Sequence, residues 1–286
     1  MRSLKITLAT LCATCVGALA AVGAYLHYDR RAEEHLRDLA KPFAAWCLGA
    51  GFVVKGVRFP AVRGYALRLG AVFALYGAAD IAMEFGARTL ALGVSLFLAG
   101  HALYTRCIVL ARALPCEADA APQGSPRARR MAAFAVLAAF LGVTANSVHI
   151  IVRRTHSPVL AVLSAAYPLT FAAMAVCAVL CWRRAVAAAL TVLGALVYAA
   201  SDTVVAVQRF VAHRPWMDLF IMVSYWLALF LLAAAAFPVI WHATNHHNLL
   251  FASRTPSKDG ASKKTPSKEK ASKGTPSKET PSKKSK

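Results

Sequence analysis

Two aspartates, Asp80 and Asp202, sit inside stretches of sequence otherwise almost free of charge. The segments Tyr76-Gly-Ala-Ala-Asp80 and Tyr198-Ala-Ala-Ser-Asp202 both place a tyrosine one helical turn before the acid, on the same helix face. A carboxyl group in apolar surroundings is costly unless it faces a polar interior, so each is a functional hypothesis by default. Paired acids divide their roles, one carrying a proton and the other acting as base or anionic stabiliser. His101 and Tyr104 on a neighbouring run, with Tyr167, Tyr198, Ser201 and Tyr225, are polar groups able to orient such a pair, a water or a substrate hydroxyl. Glu84, one turn after Asp80, either extends the pocket or marks an interface. Asp218 either caps the last apolar helix or belongs to the mouth.

Other chemistries fit less well. Asp80, Glu84, His101 and Asp202 are hard or borderline metal ligands, but an intramembrane zinc hydrolase needs several histidines and only His101 lies deep in a run. No metal and no cofactor is expected. Neither a Gly-x-Ser-x-Gly elbow nor a phosphate or dinucleotide loop is present. Seven cysteines fall almost entirely in apolar runs with no histidine cluster near them, which suits packing in a reducing or lipid-buried setting.

The elements that position these residues are set by composition. The chain is 58% hydrophobic and 16% charged with positive mean hydropathy, outside the range of soluble domains. Apolar runs recur near 6–26, 43–54, 67–83, 90–110, 131–152, 158–180, 185–207 and 217–241. Most reach the roughly 20 residues a helix needs to cross a bilayer. Without strand alternation they point to helices, because backbone groups in lipid must be satisfied within the segment. The fold expected is an all-α polytopic transmembrane bundle of about eight spans over residues 1–248, followed by a tail over 249–286. The run at 43–54 is short, which implies tilt, a kink at Pro42 or partial insertion. Arg2 and Lys5 ahead of the first run fit either a cleaved signal peptide or, as its length favours, a retained anchor. The loop from Arg112 to Arg130, rich in proline, divides four runs from four.

With eight spans, Asp80 and Asp202 enter from parallel helices at similar depth, about 11 Å inside the boundary marked by Arg88 and Arg209. His101, Tyr167 and Tyr225 fall nearer the middle. A 4+4 parallel duplication would bring the acids together near a pseudo-two-fold axis.

The net charge of +20 is no nucleic-acid signature, since eleven cations lie between Arg254 and Lys286. That tail repeats Thr-Pro-Ser-Lys from Thr255, Thr265, Thr275 and Thr280, cannot bury a core, and is expected to be disordered. It reads as a spacer or as a basic segment attracted to anionic cytoplasmic lipid and tuned by phosphorylation. Loop cations divide twelve against nine, and the tail joins the larger group, favouring a cytosolic C-terminus. The ending Lys283-Lys284-Ser285-Lys286 matches a dilysine endoplasmic-reticulum retrieval pattern.

Lys41-Pro42, LYGAADIAM around Asp80, LAGHALY around His101, GALVYAASDTVVAVQRF around Asp202 and DLFIMVSYWLA from Asp218 to Ala228 together resemble the lysoplasmalogenase (YhhN-like) membrane family over most of residues 41–235. Ala79 departs from the family's usual glycine. The resemblance implies hydrolysis of the vinyl ether bond of lysoplasmalogens, lysophospholipids drawn from the bilayer, to a fatty aldehyde and glycerophosphocholine or glycerophosphoethanolamine. Asp80 and Asp202 would be the acid and base of that reaction. A proton-coupled transporter or lipid scramblase using the same acids as a relay is the alternative.

Overall fold

The computed structural model describes residues 34–85, 89–114, 125–154, 157–182 and 184–254, with short helical pieces at 13–14, 16–20 and 23–24. Most of the first apolar run, Arg2, Lys5, Arg88, the Pro115–Gly124 loop and the Thr-Pro-Ser-Lys tail with its dilysine ending therefore lie outside the described residues. Among those described, all regular structure is helical: α1 (Glu34–Arg58), a single 3₁₀ turn (Pro60–Val62), α2 (Arg63–Glu84), α3 (Leu90–Ala111), α4 (Pro126–Arg154), α5 (Pro158–Cys181), α6 (Ala185–Phe210) and α7 (Pro215–Arg254). Among the described residues, five stretches are long and apolar enough to cross a membrane: Pro60–Glu84, Leu90–Ala111, Pro158–Cys181, Ala185–Phe210 and Pro215–Thr244.

The element expected to be short is not. α1 is a 25-residue helix that runs through Pro42. Apolar periodicity ended at Lys41 and Lys55, but both cations belong to the helix, Lys41 paired with Glu84 of α2 and Lys55 buried beside the Phe59 ring. Long cationic side chains extend a helix past its apolar segment because the stem packs while the charge reaches a partner. α7 likewise continues to Arg254 rather than ending near 241, past the boundary expected for the tail. α4 begins at Pro126, with Arg127, Arg129 and Arg130 in its first turns. Proline at the start of α4, α5 and α7 costs no intrahelical bond there, and Ser157 caps α5 by accepting from the Leu160 amide at 3.3 Å.

Sequential helices pack as hairpins, α1 on α2, α2 on α3, α4 on α5 and α6 on α7, while α5 also packs on α3 and α6. Small residues let the first pair close: a Cβ on Gly49 of α1 would stand 3.2 Å from the Gly70 carbonyl oxygen of α2. Aromatic residues fill the centre. Tyr76, Phe97, His101, Phe171 and Tyr198 are all at most 8% exposed.

Candidate active site

Asp80 lies in the penultimate turn of α2, 3% exposed, and its Oδ2 accepts a 2.6 Å hydrogen bond from the Tyr225 hydroxyl of α7. Asp202 on α6 faces the same cavity as Tyr167 of α5. The Asp202 Oδ2 is buried with no hydrogen-bond partner among the described residues. Both carboxyl groups line one cavity of about 260 Å³.

Behind the acids stands an aromatic layer. The Tyr76 hydroxyl and His101 Nδ1 share a 2.8 Å hydrogen bond, and His101 Nε2 has no partner among the described residues. The His101 ring centroid is 4.4 Å from that of Phe171 and 5.0 Å from that of Tyr198, while Tyr198 meets Tyr225 edge-on at 5.3 Å. Gly100 permits this layer, since a Cβ there would come 2.5 Å from the Tyr76 ring. The two Tyr-x-x-x-Asp segments thus meet: the Tyr76 and Tyr198 centroids are 5.9 Å apart and their acids share the cavity.

Of the residues singled out from sequence, Asp80, Asp202, Tyr167, Tyr225, Ser201, Glu84 and Asp218 line the cavity. Ser201 also donates to the Ile221 carbonyl at 3.0 Å, tying α6 to α7 below the pair. Tyr198 and His101 belong to the supporting aromatic layer rather than to the cavity wall. Tyr104 lies apart from the pair, donating to the Leu232 carbonyl of α7 at 2.8 Å. Glu84 is the partner of Lys41, and Asp218 accepts from Gln208 with His213 Nε2 at 3.6 Å.

Lys41, Gln208, Arg209 and Phe97 also line the cavity and had not been expected to. Lys41 and Arg209 had been read as loop cations, as a boundary marker in the case of Arg209, and as parts of family-like motifs, not as cavity residues. Their signal was placement: each falls within a helical turn or two of an apolar run's end, where a charge can turn inward as readily as outward.

The described residues form a helical bundle with membrane-type helices, in which a buried Asp80 and a half-buried Asp202 open into one partly apolar cavity. A family model described as the YhhN family matches residues 36–236, and the chain belongs to that family. No curated protein and no solved structure matches the chain.

Proposed function

We propose that the protein hydrolyses the vinyl ether bond of lysoplasmalogens within the membrane, with Asp80 and Asp202 as its acid and base pair. The observation that carries this reading is the shared cavity, which both carboxyls line and in which Asp80 is held by a tyrosine from another helix. Membership of the YhhN family supports it independently. Two carboxyl groups so placed hold one proton between them more readily than two charges. The neutral acid protonates the β-carbon of the vinyl ether and leaves an oxocarbenium ion. The anionic partner takes a proton from water as its oxygen adds to the cationic carbon, giving a hemiacetal. The hemiacetal carbon–oxygen bond to glycerol then breaks: the carboxyl protonated in the previous step gives its proton to the glycerol oxygen, the ionised one takes the proton of the hemiacetal hydroxyl, and aldehyde leaves. One water is consumed and both acids return to their starting state.

Charge sorting along the helices supports a cytosolic orientation for the end opposite the cavity mouth. Among the described residues Lys55, Arg58, Arg63, Arg68, Arg106, Arg112, Arg127, Arg129, Arg130 and Arg184 belong to that end, against Arg37, Lys41, Arg153, Arg154, Arg209 and Arg214 at the end that holds the cavity. By the positive-inside rule the basic end faces the cytosol and the cavity opens toward the other leaflet. Residence in the endoplasmic reticulum and attraction of the tail to anionic lipid complete the proposal.

The test is aldehyde release from alkenyl-glycerophosphoethanolamine by the purified full chain in nanodiscs, read through coupled reduction of the aldehyde. Wild type is expected to release aldehyde; Asp80→Asn and Asp202→Asn are expected to release almost none. Equal release by either variant would overturn the acid and base assignment.

A further inference from the structure

The charged groups of the cavity are not spread around it. Lys41, Asp80, Glu84, Asp202, Arg209 and Asp218 come from α1, α2, α6 and α7. The α3, α4 and α5 side contributes Leu90, Val94, Val148, Ile151 and Leu160, with only uncharged polar groups among them. The chamber therefore has one polar wall and one apolar wall, with the acid pair between them at depth.

Along the polar wall the charges are also ordered by height. Arg209 stands seven residues beyond Asp202 on α6, about 10 Å along the helix axis, and Asp218 stands the same distance outside Tyr225 on α7. Glu84 is one turn outside Asp80. The rim so formed carries both signs. Lys41 is neutralised by Glu84, but the Arg209 guanidinium donates to a main-chain carbonyl, that of Met83 at 3.2 Å, and has no acidic partner among the described residues. Asp218 accepts from the neutral Gln208 amide, and its side chain is 47% exposed.

We infer that this rim is a zwitterionic headgroup subsite, in which Arg209 binds the phosphate and Asp218 the ammonium of a lysophospholipid. The inference rests on the hydrolase reading for the position of the scissile bond. With the ether oxygen at the acid pair, glycerol spans the one to two helical turns to the rim. The phosphate arrives beside a guanidinium whose fork matches its oxygens. The terminal amine reaches a carboxylate that accepts its N–H bonds, and the alkenyl chain leaves across the apolar wall toward lipid. Arg209 and Asp218 thereby select the headgroup without touching the reacting atoms.

The experiment compares KM for three substrates in nanodiscs: alkenyl-glycerophosphoethanolamine, alkenyl-glycerophosphate and alkenylglycerol. Arg209→Gln is expected to raise KM about tenfold or more for the two phosphate-bearing substrates, so that the wild-type advantage over alkenylglycerol collapses. Asp218→Asn is expected to raise KM for the amine-bearing substrate alone. A folding defect would instead lower turnover of all three together, and KM values that move in proportion, or not at all, would overturn the assignment. If wild type cleaves none of the three, the hydrolase reading fails, and the rim is tested by titrating the saturated-ether analogues. Tighter binding of alkyl-glycerophosphoethanolamine than of alkylglycerol, abolished by Arg209→Gln, would uphold the subsite; equal binding would overturn it.

Discussion

Tyr225 and Asp80 are 145 residues apart in sequence and 2.6 Å apart in space, hydroxyl to carboxylate, both buried. A hydrogen bond to a charged acceptor contributes about 1.5–3 kcal/mol. Removing it with Tyr225→Phe deletes a donor and leaves the ring in place. We expect kcat for aldehyde release to fall roughly ten- to hundredfold, with a lower melting temperature as well, because the buried Asp80 Oδ2 loses its donor. A variant that keeps full kcat would show that the tyrosine only packs.

Replacing either acid by its amide separates chemistry from folding. General acid–base groups contribute about 10²- to 10⁴-fold in rate, so Asp80→Asn and Asp202→Asn should each lose at least about a hundredfold in kcat. Neither should unfold the bundle, because an amide of the same shape removes a charge from a dry site. The melting temperature in detergent is expected to hold or rise, and to rise more for Asp202→Asn, whose Oδ2 lacks a partner among the described residues. A lower melting temperature in both would point to a structural role for the acids.

The aromatic layer should answer differently. Tyr76→Phe strips His101 Nδ1 of its hydroxyl partner, at a cost of about 1–3 kcal/mol for a buried polar atom left unpaired. Gly100→Ala drives a Cβ to 2.5 Å from the same ring, an overpacking cost of about 1–3 kcal/mol. Both should lower the melting temperature clearly while reducing kcat less than Tyr225→Phe does. The reverse order would move Tyr76 and His101 from support into the chemistry.

Sidedness can be read from single cysteines in a background lacking the native ones. Arg127 stands at the basic end and Ala212 at the mouth end, both exposed. In cells with only the plasma membrane permeabilised, Arg127→Cys should react with an impermeant maleimide and Ala212→Cys should not until the inner membranes are opened. The opposite pattern would invert the proposed orientation.

Much of the fold was legible in the sequence because helix formation in an apolar solvent is a local property. Runs such as 90–110, 158–180 and 185–207 became α3, α5 and α6 with ends within a few residues. The same logic misjudged α1, where Lys41 and Lys55 looked like boundaries. Whether a cation ends a helix or continues it depends on a partner elsewhere, here Glu84 for Lys41. Extension of α7 to Arg254 was hidden similarly, because a polar helix past the membrane leaves no hydropathy signal.

The acids themselves were visible, since a charge in an apolar run stands out in one dimension, and so were the two Tyr-x-x-x-Asp segments. What pairs with the acids was not. Helical spacing put Tyr76 on the face of Asp80, yet Tyr76 turns to His101, and Asp80 is served by Tyr225 from α7. Tyr167 from α5 shares the cavity with Asp202, whereas Tyr198 of its own segment does not line it. Periodicity decides which residues share a face of one helix. Which neighbouring helix that face meets, and how each is rotated, is decided by packing across the whole bundle, where Gly100 makes room for Tyr76 and α5 packs against both α3 and α6. Sequence alone thus determined a membrane-type helical chain with two misplaced charges, and tertiary structure made those charges into a site.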